Sequence, residues 1–132
     1  DVGLNWAATE KTNFNFYFQR AIRPSFSNTF QDFTSNGFIL SFSHDLPGQF
    51  VLTGDVGYEN ADYFLSDPRG IQANVREDDY FRAGVAISHP CRLSQNLQGS
   101  ITAFYNYNEN DSTLNQSNFD QYITGLRFGL VY

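Results

Sequence analysis

Apolar residues recur at every second position along seven separate stretches of this chain, and no Asp, Glu, Lys or Arg breaks the apolar series in the middle of any of them. Alternation with period two sends successive side chains to opposite faces of a strand. The pattern therefore predicts strands with one apolar and one polar face. They run roughly Val2–Ala8, Thr12–Ile22, Phe33–His44, Gln49–Asn60, Asp78–His89, Asn96–Asn108 and Tyr122–Tyr132. Strand two sets Phe14, Phe16 and Phe18 against Asn13, Asn15, Tyr17 and Gln19; strand three sets Phe38, Leu40 and Phe42 against Gly37, Ser41 and Ser43. Ile39, Val51 and Phe104 are the few bulky residues expected on the polar face.

A soluble antiparallel sheet can show the same alternation with its apolar face turned to a core. The charge-free stripe meets the requirement of a lipid-facing wall, where an Arg or Lys at the midplane costs roughly 2–4 kcal/mol, and it is the opposite face that decides between the two. The opposite face, a mixture of Gly, Ser, Thr, Asn and single charges, suits a wet interior. The last strand holds Gly125, Phe128 and Leu130 and stops on an aromatic, Tyr132, which is the form of an outer-membrane closing strand. The fold class predicted is all-β: an antiparallel, up-and-down transmembrane β-barrel wall of about seven strands, with residues 1–132 as a single segment of C-terminal strands.

Connections are expected to alternate between short (Thr9–Lys11, Asp45–Gly48, Pro90–Gln95) and long and polar (Arg23–Thr29, Ala61–Glu77, Glu109–Asn118). Short turns on the periplasmic side and long loops outside are the arrangement of bacterial barrels, which have an even number of strands. With the C-terminus periplasmic, seven strands put Asp1 on the outer side, so further strands upstream or on sister chains are expected. No charged-then-apolar leader is seen at Asp1, and a secretion signal is expected to have been removed.

Composition narrows the function classes. Among 132 residues, 14 Phe and 8 Tyr bring the aromatics to 17%, rich for a soluble domain and ordinary for a sheet facing lipid. A mean hydropathy of −0.41 is compatible with a membrane wall, since half of each barrel strand is polar. The net charge of −6 leaves no basic stripe for phosphates, so no nucleic acid is expected. One cysteine, Cys91, allows neither an intrachain disulfide nor a thiolate zinc site, and it reads as a bystander. Neither cofactor nor metal is expected: Glu77-Asp78-Asp79 and Glu109–Asp111 lack the spacing of a dedicated calcium loop.

The chain resembles a known family, the β-barrel porins encoded beside exopolysaccharide genes in Gram-negative bacteria. Gly3-Leu4-Asn5-Trp6-Ala7-Ala8-Thr9-Glu10-Lys11-Thr12 is similar to that family's G-x-x-W-x-P-T-x-x-T hairpin, with Ala8 in place of Pro. Arg76-Glu77-Asp78 resembles its R-x-D at the start of an inward strand, and Tyr107–Ser112 its aromatic-then-Asn/Ser loop. The resemblance spans nearly all of this chain but only the C-terminal portion of such proteins. It implies an outer-membrane wall of about double this strand number around a polar interior.

Candidate site residues fall into two groups. Asp55, Glu59, Asp78, Tyr80, Arg82 and Arg127 project to the polar face and are expected to line a lumen. There they either set solute selectivity, as charged rings do in pores, or form salt bridges that stiffen the wall, Arg82 with Asp55 or Asp78; the stiffening role is favoured. Trp6, Tyr58, Phe81, Tyr105, Tyr107, Tyr122 and Tyr132 near strand ends fit interfacial aromatic girdles. His44 and His89 lack a carboxylate and serine partner on their own face, so no enzyme is expected. The function expected is a porin-like channel or export pore for hydrophilic solutes, polysaccharide included, in a Gram-negative outer membrane. The alternative is a non-conducting structural or adhesion barrel whose loops Ala61–Glu77 and Glu109–Asn118 bind partners, with a soluble β-sandwich a distant third. Expected partners are outer-membrane lipid and, through the C-terminal strand, the barrel-assembly machinery.

Overall fold

The computed structural model describes residues 1–24, 31–66, 72–92 and 98–131. Seven strands form one sheet in chain order: β1 (Val2–Thr9), β2 (Thr12–Pro24), β3 (Gln31–Asp45), β4 (Val51–Ser66), β5 (Gln72–Arg92), β6 (Gln98–Ser112) and β7 (Phe119–Val131). Every neighbouring pair is antiparallel. The sheet is an up-and-down meander, and β1 and β7 do not pair with each other among the described residues. We call the end carrying the β1–β2, β3–β4 and β5–β6 connections the near end, and the other the far end.

Register puts the predicted apolar residues in continuous rows. Leu4, Phe16, Leu40, Val56, Ala83, Tyr107 and Tyr122 stand opposite one another across all seven strands, with Trp6, Phe14, Phe42, Gly54, Val85 and Tyr105 in the next row. Along β5 the face that begins at Phe81 and runs through Ala83, Val85 and Ile87 to Cys91, with His89 the one polar residue on it, matches the roughly 9–11 residues of a tilted transmembrane strand. No second layer covers this face. Leu4 is 64% exposed, Trp6 61% and Phe128 69%, and Ala61 is the one buried apolar residue among the described residues. A sheet sandwich would bury its apolar face in a core about 10 Å thick. This one buries none of it.

One joint on that face is tight. The ring of Phe42 lies over Gly54, where a Cβ would overlap its edge. Gly54→Val should therefore push Phe42 off the wall at about 1–3 kcal/mol, the usual range for overpacking. Thermal unfolding of the full-length protein in detergent micelles would show it as a lowered midpoint. An unchanged midpoint would mean that the ring can swing aside freely.

Strand ends depart from expectation at the far end. Ala61–Glu77 was predicted as a long loop, yet β4 continues to Ser66 and β5 begins at Gln72. Glu109–Asn118 likewise shrinks, because β6 runs to Ser112 and β7 begins at Phe119. The polar residues that read as loop find partners across the ladder. The Asn60 amide donates to Asp79 Oδ1 and to Glu77 Oε1, both at 3.0 Å, and the Tyr58 hydroxyl donates to Asp79 as well. The connections thus no longer alternate in length as predicted; what extends at the far end is the paired sheet. At the near end Gln49, predicted to open strand four, belongs to a turn instead. The Leu46 amide bonds to the Phe50 carbonyl at 2.8 Å, and closing that ring takes Gly48 and Gln49 to φ of 76° and 66°. Gly48 adopts this left-handed conformation without steric cost.

Candidate functional site

The polar face is built from the residues between the apolar rows. Asp55, Glu59, Asp78, Tyr80, Arg82 and Arg127 all lie on it, as alternation required. Their surroundings differ. Arg82 Nε approaches Asp55 Oδ2 at 3.6 Å, with both side chains about four-tenths exposed. The pair is diagonal: Arg82 lies over Gly57, and Asp55 over Gly84. A Cβ at Gly57 would come 2.9 Å from Arg82 Nε, so glycine is what lets the arginine lie against the wall. An exposed pair of this kind contributes little to stability, which leaves both charges facing the open side of the sheet.

Glu59 accepts from the Ser35 hydroxyl, and the Tyr80 hydroxyl donates to Asn108 Oδ1 at 3.0 Å. Arg127 sits over the Phe104 ring at 5.4 Å, close enough for a cation–π contact. Phe104 in turn lies over Gly125, where a Cβ would be 2.9 Å from the ring. Gly125 is thus a seat for an aromatic on the polar face, while Phe128 and Leu130 stand exposed on the apolar face. Tyr132 lies outside the described residues.

Asp78 is the exception among the six. It is buried and paired with Arg76, not Arg82: Arg76 Nε donates to Asp78 Oδ1 at 2.7 Å, and a second guanidinium nitrogen donates to Oδ2. The guanidinium lies over the Tyr63 ring at 4.9 Å, and Tyr63 stacks on Phe33 at 4.9 Å. The bond to Asp78 holds the Arg76 pKa above its ordinary value, and burial pushes the Tyr63 phenol up. The β6–β7 connection closes over the same corner. Thr113 and Glu77 bond reciprocally through their backbones and the threonine hydroxyl, Asn110 donates to the Ser117 carbonyl at 2.8 Å, and the Ser112 amide donates to Asn118 at 2.7 Å. The result is a cross-linked knot at the far end of the polar face. Nothing in the sequence linked Tyr63 or Phe33 to this pair, though Arg76-x-Asp78 was a signal for the ion pair.

The predicted aromatics lie on the apolar face. Tyr58, Phe81, Tyr107 and Tyr122 gather toward the far end, with Phe81–Tyr107 centroids 6.2 Å apart and Tyr107–Tyr122 4.9 Å apart. Tyr105 contacts Tyr122 one row below, and Trp6 stacks on Phe14 at 5.5 Å. His44 Nδ1 lies 2.8 Å from the Thr12 hydroxyl, and His89 packs on Phe50. The acidic run Glu77-Asp78-Asp79 is divided by alternation, with Glu77 and Asp79 on one face and Asp78 on the other.

A sheet with one uncovered apolar face and one charged polar face is the wall of a barrel. The sequence profile of the family described as "Putative beta-barrel porin 2" matches residues 1–130. The chain belongs to that family. No curated protein and no solved structure matches the chain. Membership of this porin family agrees with the all-β meander and supports an outer-membrane location. For a Putative beta-barrel porin 2 chain, the knot around Asp78 and the exposed Arg82–Asp55 pair are then two kinds of polar site: one locked, one open.

Proposed function

We propose that this chain forms part of the wall of a porin-like channel for hydrophilic solutes in a Gram-negative outer membrane, with the polar face turned to the passage. The observation that carries this reading is the division of the faces. A band of apolar side chains of bilayer width lies exposed on one side, and Asp55, Glu59, Tyr80, Arg82 and Arg127 are presented on the other. The aromatics at the ends of the apolar band fit interfacial girdles, and the C-terminus lies on the periplasmic side. Open edges do not persist in hydrocarbon, where each unpaired backbone group costs several kcal/mol. We therefore propose that β1 and β7 are covered by further strands of the same polypeptide or of sister chains. Gly125, Phe128 and Leu130 belong to the strand read by the assembly machinery. Polysaccharide is the cargo that the resemblance to exopolysaccharide-cluster porins suggests.

The test is planar-bilayer conductance of the full-length protein. Stepwise currents are expected, and Arg82→Ala, which leaves Asp55 and Glu59 without their neighbouring cation, should shift the passage toward cation selectivity. Absence of any stepwise current would withdraw the channel in favour of a non-conducting scaffold. In that case the extended β4–β5 ribbon becomes the surface to examine. A current whose reversal potential ignores Arg82→Ala would remove Arg82 from the lining.

A further inference from the structure

We infer that the passage is narrowest at one level of this wall, that Tyr17 and Tyr80 set its width there, and that this level sorts solutes by size more than by the sign of their charge. The inference rests on the channel reading above. Register divides the polar face into two halves of unequal bulk. In two adjacent rows on the far-end side stand Tyr17, Gln19, Ile39, Glu59, Tyr80 and Arg82. The next two rows toward the near end hold, across β2–β6, Asn15, Ser41, Asp55, Gly84 and Asn106, then Asn13, Ser43, Thr53, Ala86 and Phe104. In the first rows Tyr17, Ile39, Tyr80 and Arg82 are large, with Gly37 and Gly57 set between them; in the second rows only Phe104 is of that size, and its ring lies down over Gly125. Side chains on this face stand toward the interior, so the wall is thickest where the first set lies.

The two tyrosines are held, not free to fold away. The Tyr17 hydroxyl donates to Asp1 Oδ2 at 3.0 Å, and the Tyr80 hydroxyl is held by Asn108, with its ring 6.4 Å from that of Phe119. Between them the floor drops to Gly37 and Gly57, leaving a small concavity of ≈ 70 Å³. A ring on each side of a glycine floor makes a notch of fixed width. Its rim carries one acid, Glu59, and one base, Arg82. Opposite charges at one level leave little net field along the passage, so an uncharged hydrophilic solute is admitted or refused by its cross-section.

The experiment compares single-channel conductance of the full-length protein with that of Tyr17→Ala/Tyr80→Ala, using polyethylene glycols of graded mass to measure the size limit. The double variant should conduct roughly 1.5-fold more or better and admit larger glycols, with the cation-to-anion permeability ratio unchanged. Ser43→Tyr, which adds a ring at the wide level, should leave both readings near wild type. Tyr80→Phe, which keeps the ring, should do the same. Heat-modified gel mobility confirms that each variant is folded. Wild-type conductance and size limit in the double variant overturn the inference, as does an equal loss of conductance in Ser43→Tyr. A wild-type channel insensitive to these changes removes the narrowing alone; a wild-type protein without current removes the channel reading and the narrowing with it.

Discussion

Leu40→Arg should leave almost no protein in the folded, heat-modifiable form, while Ser41→Arg, one residue along, should fold nearly as wild type. Leu40 stands in the middle of the apolar face, between Phe16 and Val56, and is 40% exposed there. A cation at that depth in lipid costs roughly 2–4 kcal/mol, which lowers the ratio of folded to unfolded protein roughly 30- to 1,000-fold. Ser41 faces the other way, beside Asn15 and Asp55. An arginine there meets water and a carboxylate. Refolding both variants into lipid vesicles and scoring mobility on an unheated gel measures the difference. Equal yields would mean that the apolar face does not meet lipid, and the membrane wall would have to be given up.

The second large effect is expected at the far-end knot. Asp78→Ala removes the only carboxylate that the Arg76 guanidinium is seen to hold among the described residues. The arginine is then left beside Tyr63 without its counter-charge. Breaking a buried ion pair on one side is strongly destabilising. Here the Arg76 side chain retains 24% of its exposure and can turn partly to water, so a loss of about 1–3 kcal/mol is expected. Hydrogen exchange should report it locally, as faster exchange in β4 beyond Asn60 and in β5 before Tyr80, with the near end unaffected. Arg76→Met/Asp78→Ala should recover part of the loss, because no unpaired charge remains. If the double variant is worse than the single by the full cost of a second deletion, the two residues act independently and the pair is not what holds the knot.

How much of this was legible beforehand follows from the physics of alternation. The faces of all seven strands could be read, since one step of slippage would have moved Leu40 or Val56 to the polar side, and the observed register keeps each where its chemistry sends it. The far ends could not. Asn60, Glu77 and Asp79 have the composition of a loop, and only the antiparallel register shows that they bond across the strands. Of the candidate polar residues, Asp55 and Arg82 do face each other as one of the expected pairings. Asp78 chose Arg76, two residues away and on the same face, which the R-x-D spacing already contained. Its aromatic neighbours Tyr63 and Phe33 lie on β4 and β3, and nothing local in the sequence links them. Tyr17 could be placed on the polar face from the sequence, but its standing at the level of Ile39 and Arg82 shows only once the rows of the sheet are aligned.

The length of β5 has a mechanical consequence. Its apolar band ends at Phe81, while the strand begins at Gln72, so roughly 30 Å of it, at about 3.3 Å per residue, lies beyond the lipid-matched zone. A hairpin extending that far on its own would be limp, since two strands alone are marginally stable. This one is braced on both flanks: β3 stays paired to β4 as far as Leu65, and Thr113 clasps Glu77 from the other side. The described part of the ribbon, to Ser66 and from Gln72, is therefore a buttressed extension of the sheet, and a load applied to it would be carried down the paired strands into the wall itself.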